Sequence, residues 1–542
     1  MKKRINKEAI PLIVFSAIFA VVSMLGNMAV FNGDVGAGAD QNYFRSFAWS
    51  DFALFIVLFI GVSALLLFMD YLKSRWSFKE KKKSILSDMK IWKIYLAVFI
   101  LILLAWLPYI LTLAPGSVLE DSLDSISQLL DPAVPVNNHH PVFYTFFIGI
   151  FIKIGLVLGN INIGVFLYSL VQVCLMAGTI AYIIVLMVRK EVPLWIIGGS
   201  MLWYMFMPIF PDYAMIMWKD PIFSCALLWL SFLLMELAEE TEKICSKSWL
   251  IRYAVVCFIT AFFRNNGIYA VILSVIAVVV LCRKKMKRFL CVSLAVLAAY
   301  YGITGAVYSE LGIRTEFVES VGIPLQQIAA VIVNDGSVTA EEEKFLYTLL
   351  PEEEWKNSYA PCLVDKIKWN EHFDDEFLEE NKGQFLETWF SLLIKNFPEY
   401  VKAYGMETLG FWKVGVQDEY GYIDTFITEN GYGICEIDTF QKITGTSLNE
   451  FVRTFRVYIG SGTLLWLILA AALFVLRDKT RLWIVFIPAL GNWLTTMIAT
   501  PVAFSLRYVY VFALGLPLFL ALPYIGWINF SLNKRTQGGV KI

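Results

Sequence analysis

The chain has 542 residues, of which 58% are hydrophobic and only 17% are charged, and its formal net charge is −1. A soluble domain has about a quarter charged residues, whereas here the apolar residues fall in blocks close to the roughly 20 residues that cross a bilayer. The composition therefore excludes a soluble globular protein and predicts an α-helical polytopic membrane protein. The near-zero charge gives no sign of a nucleic-acid partner.

The apolar residues form twelve stretches that are each close to the length of a transmembrane helix. Their order, with a long polar interval between the ninth and the tenth, predicts a helical bundle interrupted by one large domain. The twelve predicted spans are Ile10–Phe31, Phe52–Tyr71, Ile94–Leu113, Ile163–Val188, Leu194–Phe210, Pro221–Leu237, Ser248–Phe263, Gly267–Cys282, Phe289–Ala306, Val457–Leu476, Leu482–Ile498 and Val502–Ile525.

The spans and intervals divide the chain into four regions. Residues 1–91 hold two N-terminal spans and a basic loop, and residues 92–306 hold the core of the bundle with a first outer loop at 114–162. Residues 307–456 contain no spanning block, and residues 457–542 hold three spans and a tail. Helical spacing predicts that the first two thirds of 307–456 are mainly helical, while the last third, rich in Gly and Tyr, is typical of turns or short strands.

Clusters of Lys and Arg in short loops indicate which ends of the spans are cytoplasmic, because such loops stay inside. They include MKKRINK at the start, KSRWSFKEKKK, RKKMKR and NKR near the end. The pattern predicts a cell-membrane protein with both termini cytoplasmic and residues 307–456 extracytoplasmic. It holds only if the apolar stretch Pro141–Leu158 is a re-entrant or interfacial helix. Lys153 favours this, since a lipid-facing charge at mid-bilayer is costly.

The chain has eight cysteines, and Cys362 and Cys435 are the two within the region predicted to be exported. A disulfide between them is possible in such a compartment, and their spacing alone leaves the pairing open.

The first outer loop carries an unusual concentration of polar residues between two apolar stretches. Asp121 and Asp124 are three residues apart and would share one face of a helix; the alternative is a solvated amphipathic helix without chemistry. His139 and His140 precede a proline, which is typical of a helix start. No Cys or second His group completes a metal-ligand set with them, so the sequence predicts no metal site.

Isolated cations end three spans on the predicted outer side, against the usual distribution of positive charge. They are Lys219, Arg264 and Arg507. The two spans around Arg264 and Asn265 have only about 16 residues each, so we expect their shared turn to lie below the membrane surface. Lys and Arg at helix ends also commonly snorkel to the interface, and this is the alternative for each of them.

The order of short motifs resembles a bacterial family of uncharacterised multipass proteins. The motifs are APG (114–116), DSISQ (124–128), NNHHPVFYT (137–145), WKD (218–220), RNNG (264–267) and SVGIPLQQIA (320–329), and the similarity covers the chain from about residue 92 onward. That family in turn resembles the GT-C superfamily of membrane glycosyltransferases, whose members take a sugar from a polyprenyl-phosphate carrier on the outer face of the membrane.

The resemblance implies roles for single residues. An Asp or Glu in the first outer loop of GT-C enzymes commonly acts as the catalytic base, and DSISQ puts Asp124 in that place. The dipeptide is repeated at Asp121, so the two acids share the assignment. Lys219, Arg264 and Arg507, with Asn265, are then candidates to hold the donor phosphate, while His139 or His140 binds the same phosphate or the sugar.

The implied function is an inverting glycosyltransferase of the bacterial cell membrane. Its substrates would be a polyprenyl-phosphate-linked sugar and an envelope glycan, lipid or protein acceptor. Side chains can neutralise a monophosphate leaving group, so no cofactor is required, although a divalent cation is possible. The alternative functions are a transporter or flippase for a lipid-linked saccharide or another envelope precursor, and a noncatalytic subunit of envelope assembly.

Overall fold

The structure is a computed structural model that describes residues 2–76, 89–283, 286–415 and 425–538, and it shows an α-helical, multi-pass membrane protein. Most of the predicted basic loop after the second span, and residues 416–424 of the predicted turn-rich segment, lie outside the described residues. The bundle begins with α1 (Lys2–Met28), β1 (Ala29–Val30), β2 (Tyr43–Phe44) and α2 (Trp49–Trp76). The two strands pair antiparallel, so α1 and α2 form a hairpin.

The core of the bundle lies between residues 91 and 310. Its helices are α3 (Ile91–Thr112), α4 (Glu120–Leu130), α5 (Val142–Val157), α6 (Ile161–Arg189), α7 (Leu194–Phe206), α8 (Ile209–Met215), α9 (Lys219–Glu239), α10 (Lys247–Phe263), α11 (Gly267–Cys282), α12 (Lys287–Tyr301) and α13 (Tyr308–Glu310). A π-helical segment, Gly302–Val307, joins the last two, and a 3-10 helix, Thr241–Cys245, precedes α10.

Residues 307–456, called the inserted domain below, follow the bundle core. Its further helices are α14 (Gly322–Val333), α15 (Ala340–Leu349), α16 (Glu352–Ser358), α17 (Asp365–Lys368), α18 (Asp375–Glu380), α19 (Lys382–Lys395), α20 (Phe397–Glu407), α21 (Thr439–Thr444) and α22 (Asn449–Thr454), with 3-10 helices at Phe317–Ser320 and Leu409–Phe411. The chain then returns to the bundle through α23 (Ser461–Arg477), a 3-10 helix at Arg481–Phe486, α24 (Ile487–Ala499), a 3-10 helix at Leu506–Val509 and α25 (Tyr510–Gly538).

Each of the twelve predicted spans overlaps a helix, but not every helix has the length of a full span. Among the described residues, eight are long and apolar enough to cross a membrane, and α7 with α8 forms a further pair bent by 49°. The remaining three predicted spans correspond to α10, α11 and α23, which have 16 or 17 residues each. The number of twelve therefore stays a prediction.

Burial separates the inner spans from the peripheral ones. In α6, α9 and the span Leu506–Ile525, 78%, 89% and 83% of the apolar window is buried inside the protein, whereas in α2 only 6% is. The first group forms the centre of the bundle, and the second presents its apolar surface outward. The hairpin α1–α2 is held at the edge by α23, where Trp466 contacts the rings of Phe15 and Phe19.

Helix α5 is the apolar segment predicted not to cross fully, and its 16 residues are short for a span. It packs against α6 so closely that a Cβ atom on Gly155 would lie 2.6 Å from the backbone nitrogen of Gly164. Lys153 is exposed. Whether α5 re-enters the membrane remains a prediction.

The inserted domain has its own hydrophobic core, built around the apolar helix α14. Leu325 and Ile328 of this helix pack with Trp355 of α16 and with residues of α19 and α20. The prediction of a mainly helical first two thirds is thus confirmed. In the described part of its last third, residues 425–438 contain no helix.

The two cysteines of the inserted domain differ in burial. Cys362 is buried in a cluster with Leu409 and Phe504, while Cys435 is exposed and its backbone N–H donates to Asn162 at 3.0 Å. Within the described residues, no disulfide joins them.

Candidate functional site

Three extended segments place the first outer loop against the bundle. Ser117 N–H donates to Met215 O and Met217 N–H donates to Ser117 O, each at 2.9 Å, so residues 117 and 216 pair in parallel. On the other side, Val118 pairs with Ile427 of the inserted domain. This short ladder fixes the start of α4 beside the start of α9.

Glycine at position 116 is required for this arrangement. Its φ is +136°, and a Cβ atom there would lie 2.1 Å from Ser169 Oγ of α6. A side chain would therefore clash and strain the backbone at once. The APG motif accordingly serves the close approach of the loop to α6.

Helix α4 carries both candidate acids, and the two contact different partners. Asp121 forms an ion pair with Arg507, and Asp124 accepts a hydrogen bond from Gln128 Nε2 at 3.1 Å. Both carboxylates remain accessible, since 37% and 42% of the two side chains are exposed. Burial alone would raise the pKa of Asp121, but attraction by Arg507 outweighs it and lowers the pKa well below the usual range.

A buried carboxylate that the sequence left unassigned, Asp220, joins two of the predicted cations. It lies in the first turn of α9, where the helix dipole favours a negative charge. Arg507 Nε donates to one of its oxygens at 2.9 Å, and Arg264 Nη1 lies 2.7 Å from the other. Asp220 thus orders both guanidinium groups.

Arg264 ends α10 in a tight turn that only glycine allows to close. A Cβ atom on Gly267 would lie 1.8 Å from Thr260 O, so α11 begins directly against the end of α10. The Arg264 side chain is 11% exposed, and its guanidinium lies 4.9 Å from the ring of Tyr508. The side chain is thus largely buried in the protein, while the position of the turn below the membrane surface stays a prediction.

Lys219 contacts a histidine, whereas the two arginines contact carboxylates. Its ammonium lies 2.9 Å from His140 Nδ1, and the part of the chain that the structure describes offers it no carboxylate within ion-pair distance. Burial and the nearby Lys219 charge lower the pKa of His140 to about 2, so the imidazole is neutral. A neutral ring that accepts from Lys219 at Nδ1 carries its proton on Nε2, which faces Asp124 Oδ2 at 3.7 Å.

These groups surround a small cavity. Its walls are formed by Asp121, Ser122, His140, Tyr144, Met217, Trp218, Lys219 and Arg507. The cavity has room for about one water molecule, so a larger ligand enters only if the lining side chains move apart.

His139 points away from the cavity and toward the inserted domain. Its Nδ1 lies 3.5 Å from Glu316 and 4.0 Å from Glu319, and its ring packs edge-on against Trp369. These two glutamates and His139 bring three ligand atoms within 4.8 Å of one another, so they could hold a divalent cation. Lys368, however, already donates to both oxygens of Glu319.

The structure brings most of the predicted site residues together. Asp121, His140, Lys219 and Arg507 line the cavity, Arg264 lies behind them through Asp220, and Asp124 lies at the rim. Asn265 does not line it. Its side chain donates to Asn138 O at 3.0 Å and holds the loop in place.

Four contributing residues were missed by sequence reasoning. Asp220 lies within the WKD motif, where a search for charge partners of the cations could have found it. Tyr144 lies within NNHHPVFYT, four residues after His140, where a search for polar groups one helical turn apart could have found it. Glu316 and Glu319 lie about 180 residues after His139, and no local signal connects them.

Comparison with known proteins assigns the chain to a family but does not indicate an activity. The model of a family of unknown function (DUF6020) matches residues 129–528, so the chain belongs to that family. No curated protein and no solved structure matches the chain. The matched range includes His140, Lys219, Arg264 and Arg507 but begins after Asp121 and Asp124.

Proposed function

We propose that this member of the DUF6020 family is a GT-C-like, inverting membrane glycosyltransferase. It moves a sugar from a polyprenyl-phosphate carrier to an acceptor of the bacterial envelope on the outer face of the cell membrane. The proposal includes twelve spans, cytoplasmic termini and an extracytoplasmic inserted domain. No cofactor is required, although a divalent cation remains possible.

The observation that carries this proposal is the charge balance around the cavity. Three cations, Lys219, Arg264 and Arg507, face the two carboxylates of Asp121 and Asp220. Among these five groups one positive charge is left over: Lys219 has no carboxylate within ion-pair distance among the described residues, and the third carboxylate of the site, Asp124, contacts His140 and Gln128 at the rim. A phosphodiester carries one negative charge, so it would complete the cluster through charge-assisted hydrogen bonds.

The same cations stabilise the leaving group during transfer. The acceptor hydroxyl oxygen bonds to the anomeric carbon while the bond from that carbon to the phosphate oxygen breaks. The departing lipid phosphate gains a second negative charge, which Lys219 and the arginines stabilise. The proton of the acceptor hydroxyl passes to a carboxylate.

Asp124 is the proposed base, and Asp121 is the alternative. Asp124 lies at the rim of the cavity without a cationic partner in the described residues, so its carboxylate is available to an acceptor. Asp121 is held by Arg507 and is a weaker base there. It becomes available only if the donor phosphate replaces it on Arg507.

His140 has a positioning role in this scheme. As a neutral ring that accepts from Lys219, it adds no positive charge for the phosphate. It fixes the direction of the Lys219 ammonium instead. His139 and Asn265 hold the loop against the inserted domain and the α10–α11 turn.

A transporter or flippase for a lipid-linked saccharide is the alternative function. Binding of the phosphate would be the same, but transport also needs a path through the bundle. Next to Trp218 of the cavity wall, the buried rings of Tyr213 and Tyr510 stack at 4.2 Å, and Phe210 packs next to them. This filled centre supports an enzyme over a transporter.

The test is transfer by purified protein from a panel of polyprenyl-phosphate sugars, scored by release of the free lipid phosphate. We expect Asp124→Asn to lower the rate on the order of 100-fold or more, the lower range for the loss of a general base. Asp121→Asn is measured in parallel, and the larger loss identifies the base. Full turnover in both variants would contradict the mechanism and favour the transporter.

A further inference from the structure

The two aromatic residues of the cavity wall, Tyr144 and Trp218, are among those that the proposed function does not use. Tyr144 of α5 is buried, and its hydroxyl lies 2.8 Å from the hydroxyl of Tyr168 on α6. Either oxygen could donate in that bond by geometry alone. The neighbours of Tyr168 decide which of them does.

The side-chain amide of Gln172 has only one possible orientation. Its nitrogen lies within hydrogen-bond distance of three backbone carbonyls, those of Tyr213, Ala214 and Ile216, at 2.9, 3.2 and 2.6 Å. The flipped amide would place its oxygen against these acceptors. Gln172 Oε1 therefore points to the Tyr168 hydroxyl, 2.9 Å away, and can only accept.

Tyr168 has a single proton and two neighbours that cannot donate. These are Gln172 Oε1 and the carbonyl oxygen of Trp218, at 2.9 and 3.3 Å. If the proton pointed to Tyr144, both buried carbonyl oxygens would face phenol lone pairs, which is unfavourable in a buried site. Tyr168 thus donates to Gln172, and Tyr144 donates to Tyr168.

The hydroxyl of Tyr144 consequently offers the cavity a lone pair and no proton. The other polar groups around it are mainly donors. Lys219 and Arg507 are cations, and the indole N–H of Trp218 is buried without a hydrogen-bond partner in the described structure. A ligand that suits this wall presents anionic oxygens to the donors and, immediately beside them, one donor to Tyr144.

We propose that Tyr144 is a specificity-determining residue that accepts a hydrogen bond from the hydroxyl or amide N–H on the second carbon of the donor sugar. This inference rests on the proposed function and names its substrate more closely. The second carbon is adjacent to the anomeric carbon that bears the phosphate. Its substituent is therefore the hydrogen-bond donor of the sugar nearest to the anionic group, so it can reach Tyr144 while the phosphate contacts Lys219 and Arg507.

The experiment measures dissociation constants of the full-length protein in lipid nanodiscs for two probes. One is a polyprenyl-phosphate hexose with a 2-hydroxyl group, and the other is its 2-deoxy counterpart. A neutral hydrogen bond contributes about 1 kcal/mol, so we expect the unmodified protein to bind the 2-deoxy probe roughly fivefold more weakly. Tyr144→Phe should bind both probes equally.

Tyr168→Phe is the matched control, because it also deletes the bond between the two tyrosines but keeps the Tyr144 oxygen. We expect it to retain the discrimination, and melting temperatures of both variants verify that they fold. Equal loss in both variants, or no discrimination by the unmodified protein, would overturn the inference. If the unmodified protein binds neither these probes nor any other polyprenyl phosphate, the proposed function falls, and the inference with it.

Discussion

Two groups of buried charges lie close to the short ladder of residues 117, 216 and 427, and they differ in balance. Asp212 of α8 is fully buried and pairs with Arg456 at 3.3 Å, and Arg456 also donates to Thr425 at 3.0 Å. That group has one acidic and one basic side chain. In the cavity group three cations lie beside Asp121 and Asp220 with open space next to Lys219, and the carboxylate of Asp124 lies apart from them at the rim.

The difference suggests how to distinguish a structural ion pair from a binding site. The pair of Asp212 and Arg456 attaches Thr425 and Arg456 of the inserted domain to the bundle and has no surplus charge for a ligand to neutralise. A group with unequal charges raises the free energy of the folded protein through repulsion, and a bound ligand of opposite sign lowers it again. Changes at the two sites should therefore have opposite effects on stability and on binding.

The largest expected effect is a loss of stability when the balanced pair is broken. Arg456→Ala leaves the Asp212 carboxylate buried without its partner, and such a loss typically costs about 3–5 kcal/mol. We expect a lower melting temperature for the purified protein. Binding of a polyprenyl phosphate should be unchanged in the folded fraction.

The control replaces both members by apolar residues, Asp212→Leu with Arg456→Met. Because neither charge remains, most of the stability should return. If the double variant is as unstable as the single one, the ion pair is not the contact that stabilises the protein there. The distinction between a structural pair and a binding site would then lack its structural example.

The second effect concerns the surplus cation. Lys219→Met removes the cation that has no carboxylate within ion-pair distance among the described residues, so the two arginines remain beside Asp121 and Asp220. We expect binding of polyprenyl phosphate to fall on the order of tenfold or more, as for a charge-assisted hydrogen bond, while the melting temperature stays level or rises. Undiminished binding would show that the surplus charge is not what holds the phosphate.

The third effect separates charge from geometry at Arg264. Arg264→Ala removes a cation and one partner of Asp220, and we expect donor binding to weaken on the order of tenfold. Arg264→Lys keeps the charge but not the planar fork, so its effect should be smaller. Equal binding in both variants and in the unmodified protein would mark Arg264 as a residue that only snorkels.

The smallest effect comes from Glu407 of the inserted domain, a buried acid that forms no ion pair with any described cation. It accepts from Gln326 Nε2 at 3.0 Å, and burial raises its pKa well above the usual range. With a raised folded pKa, stability is lost as the pH rises above the unfolded value of roughly 4.3. We expect a higher melting temperature at about pH 5.5 than at about pH 7.5, and a weaker pH dependence in Glu407→Gln.

The sequence was sufficient to predict the helices of the bundle, because a run of apolar residues constrains a chain in a membrane more than any local propensity does. It was less informative about lengths. Helices such as α11 satisfy their backbone hydrogen bonds and pack among neighbours, so they need not reach the full thickness of a bilayer. Apolar composition alone does not distinguish them from complete spans.

The site was predictable to the extent that its members are unusual for their surroundings. Lys219, Arg264 and Arg507 stood out as cations at helix ends, and the structure gathers all three around Asp220 and the cavity. Their partners did not stand out. An aspartate in the first turn of a helix is common, and only the three-dimensional arrangement shows that Asp220 orders two arginines.

The contact between Asp121 and Arg507 joins residues that are 386 positions apart in the chain. During synthesis, Asp121 leaves the ribosome long before Arg507, whereas Asp220 is soon followed by its other partner, Arg264. The site therefore cannot assemble until α24 and the final helix are inserted. A nascent chain interrupted before that point contains the acids of the site but lacks the arginine that joins Asp121 to Asp220.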